Sequence, residues 1–96
     1  MKFEATVKLL HEAKKGVSKS SGNEYMFQQM ILEAKDGEEG MARFLVSLGT
    51  KQVEDVKSQG IEVGNRVVAD LVFCTYITRS SYVENRIYVN EIRKIQ

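Results

Sequence analysis

Only one segment of this chain is patterned as a helix, and that limits the fold more than any other feature. Thr50, a good N-cap residue, follows Gly49, then come KQVEDVKSQ and Gly60 as a C-terminal stop. Val53 and Val56 lie three apart and share one helix face. The other patterned runs have a period of two. Residues 3–9 place Phe3, Ala5, Val7 and Leu9 on one side and Glu4, Thr6 and Lys8 on the other. Residues 24–34, EYMFQQMILEA, and 41–48, MARFLVSL, have strand composition, and the acidic turn 35–40, KDGEEG, suits a hairpin between them. In residues 66–78, Val67, Ala69, Leu71 and Phe73 oppose Val68, Asp70, Val72, Cys74 and Tyr76. Residues 86–95, RIYVNEIRKI, form a last strand with a bulge near Glu91, where the alternation fails. Residues 14–23 and 79–85 read as polar loops.

The order is strand, strand, strand, short helix, strand, strand. Ninety-six residues suit one domain, spanning 1–96. Five strands are too few for an immunoglobulin sandwich, and its cysteine–tryptophan signature is missing. A single helical connection gives no basis for a parallel sheet. The expected fold is all-β with one short helix: a five-stranded Greek-key barrel of the OB type, its helix between strands three and four. Closing the barrel also removes the edges that five open strands would leave.

Composition removes most catalytic chemistry. One cysteine excludes a disulfide framework and any CxxC motif, and one histidine excludes a multi-histidine metal site. Neither GxGxxG nor a P-loop occurs. His11 and Cys74 make no persuasive nucleophile–base pair, and Cys74 reads as a small buried residue. Residues 35–39 lack the ligand spacing of a calcium loop, and Glu38 and Glu39 read as a solvated turn. The expectation is a protein without cofactor or enzymatic activity. No apolar run approaches the roughly 18 residues of a membrane span, and Glu4 and Lys8 interrupt any apolar signal core, so a cytoplasmic location is expected.

Net charge is +1, so any basic footprint must be local. Residues 1–24 carry five lysines against three glutamates, and residues 75–96 three arginines and a lysine against two glutamates. Residues 33–39 carry four acids against one lysine and should lie away from an anionic ligand. The first basic loop holds Lys14, Lys15 and Lys19; the second runs from Arg79 to Arg86 around Tyr82. Tyr25 and Phe27 follow the first loop and share a strand face. They point outward if Met26, Gln28, Met30 and Leu32 fill the core. The opposite register buries Phe27 and exposes Gln28, and Ile31, on the parity of Tyr25, does not decide between the two. Arg43 falls outward and Phe44 in the core with Ala42, Val46 and Leu48. Tyr76 takes the outward parity of the fourth strand, and Tyr88 reads as a packed strand residue. Cations along a track beside exposed aromatic rings are what binding of a single nucleic-acid strand requires.

Residues 16–32, GVSKSSGNEYMFQQMIL, resemble the corresponding stretch of small phage single-stranded-DNA-binding proteins of the gene V type. Gly22-Asn23-Glu24-Tyr25, Gly64-Asn65-Arg66-Val67 and Tyr88-Val89-Asn90-Glu91-Ile92 also resemble motifs of small bacterial OB-fold proteins. Gene V-type proteins lack a helix at residues 50–59, and this chain ends in RKIQ where cellular single-strand-binding proteins carry an acidic tail. The resemblance implies strand coating in a phage or mobile element; with the residues above, the expectation is sequence-nonspecific binding of single-stranded DNA, or RNA, in replication or recombination, and a homodimer is expected because so short a chain gains avidity by dimerising. The site expected from the charge and parity of the residues is Lys14, Lys15, Lys19, Tyr25, Phe27, Arg43, Tyr76, Arg79, Tyr82 and Arg86. The alternative is an OB-fold adaptor or subunit whose Tyr25 and Phe27 dock a protein partner.

Overall fold

Alternation along the chain becomes pairing around a ring. The computed structural model describes residues 1–36 and 40–95. Its elements are β1 (Lys2–Leu10), β2 (Lys14–Val17), β3 (Glu24–Asp36), β4 (Gly40–Leu48), α1 (Thr50–Gln59), β5 (Arg66–Ile77) and β6 (Val83–Lys94). The hydrogen-bonded order is β1-β5-β6-β4-β3, and β1 returns to pair with β3. Lys2–Thr6 of β1 pair with β5, and Thr6–Leu10 pair with β3, so one strand serves both neighbours. The parallel bridge Ser47–Tyr88 joins β4 to β6 and closes the barrel. This is the expected OB-type barrel, with its helix between the third and fourth barrel strands (β4 and β5).

Residues 14–23 are not all loop. Lys14–Val17 pair with Phe27–Glu24 as β2, a sixth strand. KKGV has no alternation of its own to announce a strand. It is recruited because β3, at 13 residues, outruns the nine of β1 and leaves an edge to cover. Residues 83–85 likewise belong to β6, held by pairing with Ile77–Thr75.

Two bulges re-aim side chains. Val7 pairs with Leu32 but Leu9 with Ile31, so Lys8 is the extra residue. Leu9, expected on the core side, therefore turns outward, and Leu10 packs against the core in its place. On β6 the register jumps from Asp70–Glu91 to Leu71–Val89. The extra residue is Asn90, next to the expected Glu91, and its amide donates to Asp70 Oδ2 at 3.1 Å.

The interior holds Val7, Met30, Leu32, Val46, Leu48, Val67, Ala69, Leu71, Val89 and Ile92, all buried. Burying each Val, Leu, Ile or Met side chain fully contributes about 1.5–3 kcal/mol. Helix α1 adds Val53 and Val56, the face its three-residue spacing marks. Its N-cap is Gly49, not Thr50; the Thr50 hydroxyl instead accepts from the Met26 backbone N–H at 3.0 Å and ties the helix to β3. Gly60 ends the helix with φ 64°, a left-handed turn in which a Cβ is costly. Gln52 and Gln59 donate to the Asn90 and Ile92 carbonyls, both at 2.9 Å, fastening α1 to β6. Phe44 points inward but lies half-buried at the core margin, its ring 5.9 Å from that of Phe3. Phe73 keeps its expected parity and meets Phe3 edge-on at 6.2 Å, yet is half exposed, because β5 and β6 extend as a hairpin beyond the packed interior.

Candidate nucleic-acid interface

Cross-strand pairing builds one outward surface from five strands. Residues opposite each other in a ladder share a face. Lys14 is opposite Phe27 and Gly16 opposite Tyr25. The same face of β3 continues through Gln29, Ile31 and Glu33, opposite Ser47, Leu45 and Arg43 of β4. Ser47 bridges to Tyr88, and from there the face runs over Arg86 and Glu84 of β6 and Val72, Cys74 and Tyr76 of β5.

Barrel closure decides the register of β3 that alternation leaves open. Gln28, Met30 and Leu32 are buried; Tyr25 is 47% exposed and Phe27 38%. Gln28 tolerates the interior because its amide donates to the His11 carbonyl at 2.9 Å. The ring of Tyr25 lies across Gly16, so one ring face is backed by β2.

The cations divide into two groups. Lys14 stands beside Phe27 on the outward face; Lys15, one residue on, takes the opposite parity, and Lys19 lies in the turn between β2 and β3. None of the three forms an ion pair among the described residues. Arg43 was expected as an outward cation for phosphate. It is outward, but its Nε holds Glu33 Oε2 at 2.9 Å, while Lys8 Nζ approaches Glu33 Oε1 at 3.3 Å. The Arg43 hydrogen bond, with further help from Lys8, holds the Glu33 carboxyl below its ordinary range against the opposing effect of desolvation. The charge of Arg43 is thus partly satisfied within the protein.

On the hairpin, the Arg86 guanidinium lies 5.4 Å from the centroid of the Tyr76 ring and reaches Glu84 at 3.3 Å. The Tyr76 and Tyr88 hydroxyls lie 3.2 Å apart. The Tyr88 hydrogen bond pushes the Tyr76 phenol up to about 12, while Tyr76 and then Arg86 pull that of Tyr88 down. Cys74 shares this face and is half-buried. Arg79 and Tyr82 occupy the hairpin tip, which a bond from the Thr78 N–H to the Tyr82 carbonyl closes at 2.8 Å; Tyr82 is 73% exposed.

The structure therefore gathers Lys14, Tyr25, Phe27, Arg43, Tyr76 and Arg86 on one surface, borders it with Lys15 and Lys19, and sets Arg79 and Tyr82 at the end of an arm. Sequence reasoning missed Tyr88 and Lys8. Tyr88 shares the parity of Arg86, a signal that was present; Lys8 joins the site through its contact with Glu33, which no local pattern encodes. Residues 37–39 of the acidic turn lie outside the described residues. Among the described residues no cluster of side chains suits a metal ion, and no helix is long and apolar enough to cross a membrane.

Comparison with family models and with curated protein sequences gives no match. Solved structures do match. The mitochondrial single-stranded DNA binding protein Rim1 of S. cerevisiae superposes with a TM-score of 0.67 at 9% identity, over 100% of this chain and 94% of that one. The dimeric N-terminal domain of PriB from Thermoanaerobacter tencongensis gives 0.69 at 14% identity, over 100% and 94%. The SSB domain of a Synechococcus protein gives 0.62 at 11% identity, over 96% and 90%. At such identities the likeness is one of fold.

Proposed function

We propose that this protein binds single-stranded DNA along the outward face of β2, β3 and β4, with the β5–β6 hairpin as a second arm. The observation that carries the reading is Tyr25 and Phe27, exposed two residues apart on one strand face, with Lys14 across the ladder from Phe27. Bases stack on the two rings while Lys14, Lys15, Lys19 and Arg79 follow the phosphates, and no covalent step is involved. Arg86, spread over Tyr76, offers a further flat cationic surface to a base or phosphate. Structures of the same fold whose names describe single-stranded-DNA binding support the reading. Strand coating in replication or recombination, in a phage or mobile element, is the role we assign on the sequence resemblance, and a cytoplasmic setting is assigned on the interrupted N-terminal apolar pattern. A homodimer suits so short a chain, because linked sites multiply avidity.

An adaptor reading draws on the apolar residues Leu9 and Leu45, which are exposed on the same sheet. A titration of labelled oligothymidine and of duplex DNA at several salt concentrations separates the two. Three or four phosphate contacts give a slope of log K against log salt of about −2 to −3, at roughly −0.7 per contact. Salt-independent affinity, or no binding at low salt, overturns the DNA reading in favour of the adaptor.

A further inference from the structure

The outward face is interrupted at one place. The β1–β3 ladder ends at Leu10–Met30, and the β2–β3 ladder starts at Lys14–Phe27. Three residues, His11, Glu12 and Ala13, thus stand opposite two, Gln28 and Gln29. The kink leaves a recess of about 360 Å³ lined by His11, Glu12, Lys14, Phe27, Gln28 and Gln29.

Parity decides which of these side chains a ligand meets. Leu9 is exposed, Leu10 packs against the core, and His11 is exposed again, so the imidazole takes the outward side at the end of β1. The His11 N–H donates to the Gln29 carbonyl at 3.0 Å, which sets these two residues opposite each other. Phe27 lies two residues from Gln29 on the same face of β3, exposed, and is therefore the diagonal neighbour of His11. Diagonal neighbours in a ladder stand about 7–8 Å apart. That is twice the contact distance of carbon atoms, about 3.5–4.0 Å, and leaves room for one flat ring between the two side chains. Gln28 faces inward and acts from behind: its Nε2 donates to the His11 carbonyl at 2.9 Å and fixes the backbone that carries the imidazole.

We propose that this recess is a base slot, in which one base of the bound strand enters between the His11 imidazole and the Phe27 ring and stacks on both. Gln29, half-buried on the outward face, lines the slot between them. Its amide carries both donors and an acceptor and can turn to suit the edge of any base, so the slot is sequence-tolerant. Lys14, across the ladder from Phe27, meets the phosphate beside that base, and the Glu12 carboxylate at the rim repels phosphate from its own side. The inference rests on the single-stranded-DNA reading and adds a third stacking partner, from the end of β1, to the two rings of β3.

The test is a set of anisotropy titrations with a labelled oligothymidine of about 16 nucleotides, the upper site size of an OB fold. His11→Ala is expected to weaken binding about 5- to 150-fold, the effect of removing one base–aromatic stack. His11→Phe, which keeps a flat ring, should bind as the unmodified protein does. His11→Lys, which keeps a cation without a ring, should bind as weakly as His11→Ala. Because both rings hold one base, His11→Ala combined with Phe27→Ala should lose less than the product of the two single losses. His11 is exposed and is pinned through its backbone, so all His11 variants should keep the melting temperature of the unmodified protein. Unchanged affinity in His11→Ala overturns the slot and leaves the DNA reading standing. Affinity kept by His11→Lys and lost by His11→Phe shows a phosphate contact and overturns the slot likewise. Losses that multiply in the double variant place the two rings on different bases, which also overturns it. No binding of the oligomer by the unmodified protein overturns the DNA reading and this inference together.

Discussion

The ring of Tyr25 occupies the space a side chain at Gly16 would need: a β-carbon there would lie 2.4 Å from Tyr25 Cζ and 2.5 Å from its hydroxyl oxygen. Gly16 and Tyr25 are direct ladder partners, so the missing side chain on β2 is what lets the ring lie against the sheet. The atoms in conflict belong to the far end of a side chain with free solvent beside it. Gly16→Ala should therefore displace the ring and leave the strand intact. Its melting temperature should hold or rise, since alanine in a strand recovers about 0.5–1 kcal/mol relative to glycine. Its oligothymidine affinity should fall towards that of Tyr25→Ala, which is expected to lose about 1–3 kcal/mol if the ring carries a base. Thermal melts and anisotropy titrations of both variants check this; undiminished affinity in both would move the stacking platform elsewhere.

Phe44 should behave in the opposite way. Its ring packs on Phe3, which in turn contacts Phe73, on the inward side of the sheet. Because Phe44 is half-buried, Phe44→Ala should cost less than a fully buried phenylalanine, about 1.5–3 kcal/mol. Urea denaturation reads the loss. DNA affinity, measured where the variant is folded, should match that of the unmodified protein.

Glu33 restrains two cations that could otherwise meet phosphate. Glu33→Gln keeps the shape and removes the charge, freeing Lys8 and Arg43. Affinity for single strands should rise, and the salt slope should steepen by up to about 1.4, two contacts at roughly 0.7 each. A slope unchanged from that of the unmodified protein would place this end of the sheet outside the DNA path.

The same carboxyl gives a pH signature. Its folded pKa lies below the ordinary value of 4.5, so the ion pairs contribute stability fully above that value. The contribution disappears as pH falls through the lowered folded value. Melting temperature against pH in the acid range should be flatter for Glu33→Gln than for the unmodified protein. Parallel curves would show that the contacts with Arg43 and Lys8 contribute nothing to folding.

The tyrosine pair predicts an alkaline titration. Tyr76, raised to about 12 by the hydroxyl of Tyr88, is stabilising below its ordinary value of 10.0, and the effect disappears as pH rises through about 12. Tyrosinate absorbance should show a late-ionising group that Tyr88→Phe moves back towards 10.0. Its persistence in that variant would trace the shift to desolvation and to the neighbouring Cys74.

Alternation in Phe3-Ala5-Val7, Val46-Leu48 and Val67-Ala69-Leu71 was enough to place three strands and their inner faces, and composition was enough to place two more, residues 24–34 and 86–95. Val53, Val56 and Gly60 were enough for the helix and its end. Those signals are local: each is a spacing between residues on the same segment, set by the two-residue period of a strand or the turn of a helix. The tertiary structure decided everything that depends on which segments meet. β2 exists because β3 is long enough to need covering. Leu9 faces out because a bulge at Lys8 shifts the pairing by one residue, and Gln28 faces in because the kink at His11 gives its amide a carbonyl to bind. Thr50 serves β3 instead of its own helix, and Arg43 is paired because Glu33 stands across the ladder, ten residues away in sequence. Hydrogen bonds and ion pairs act over about 3 Å of space regardless of separation along the chain. The sequence by itself therefore determined the helix, five of the strands and the apolar side of most of them, and only barrel closure decided the rest, including which polar side chains are left free to meet a ligand.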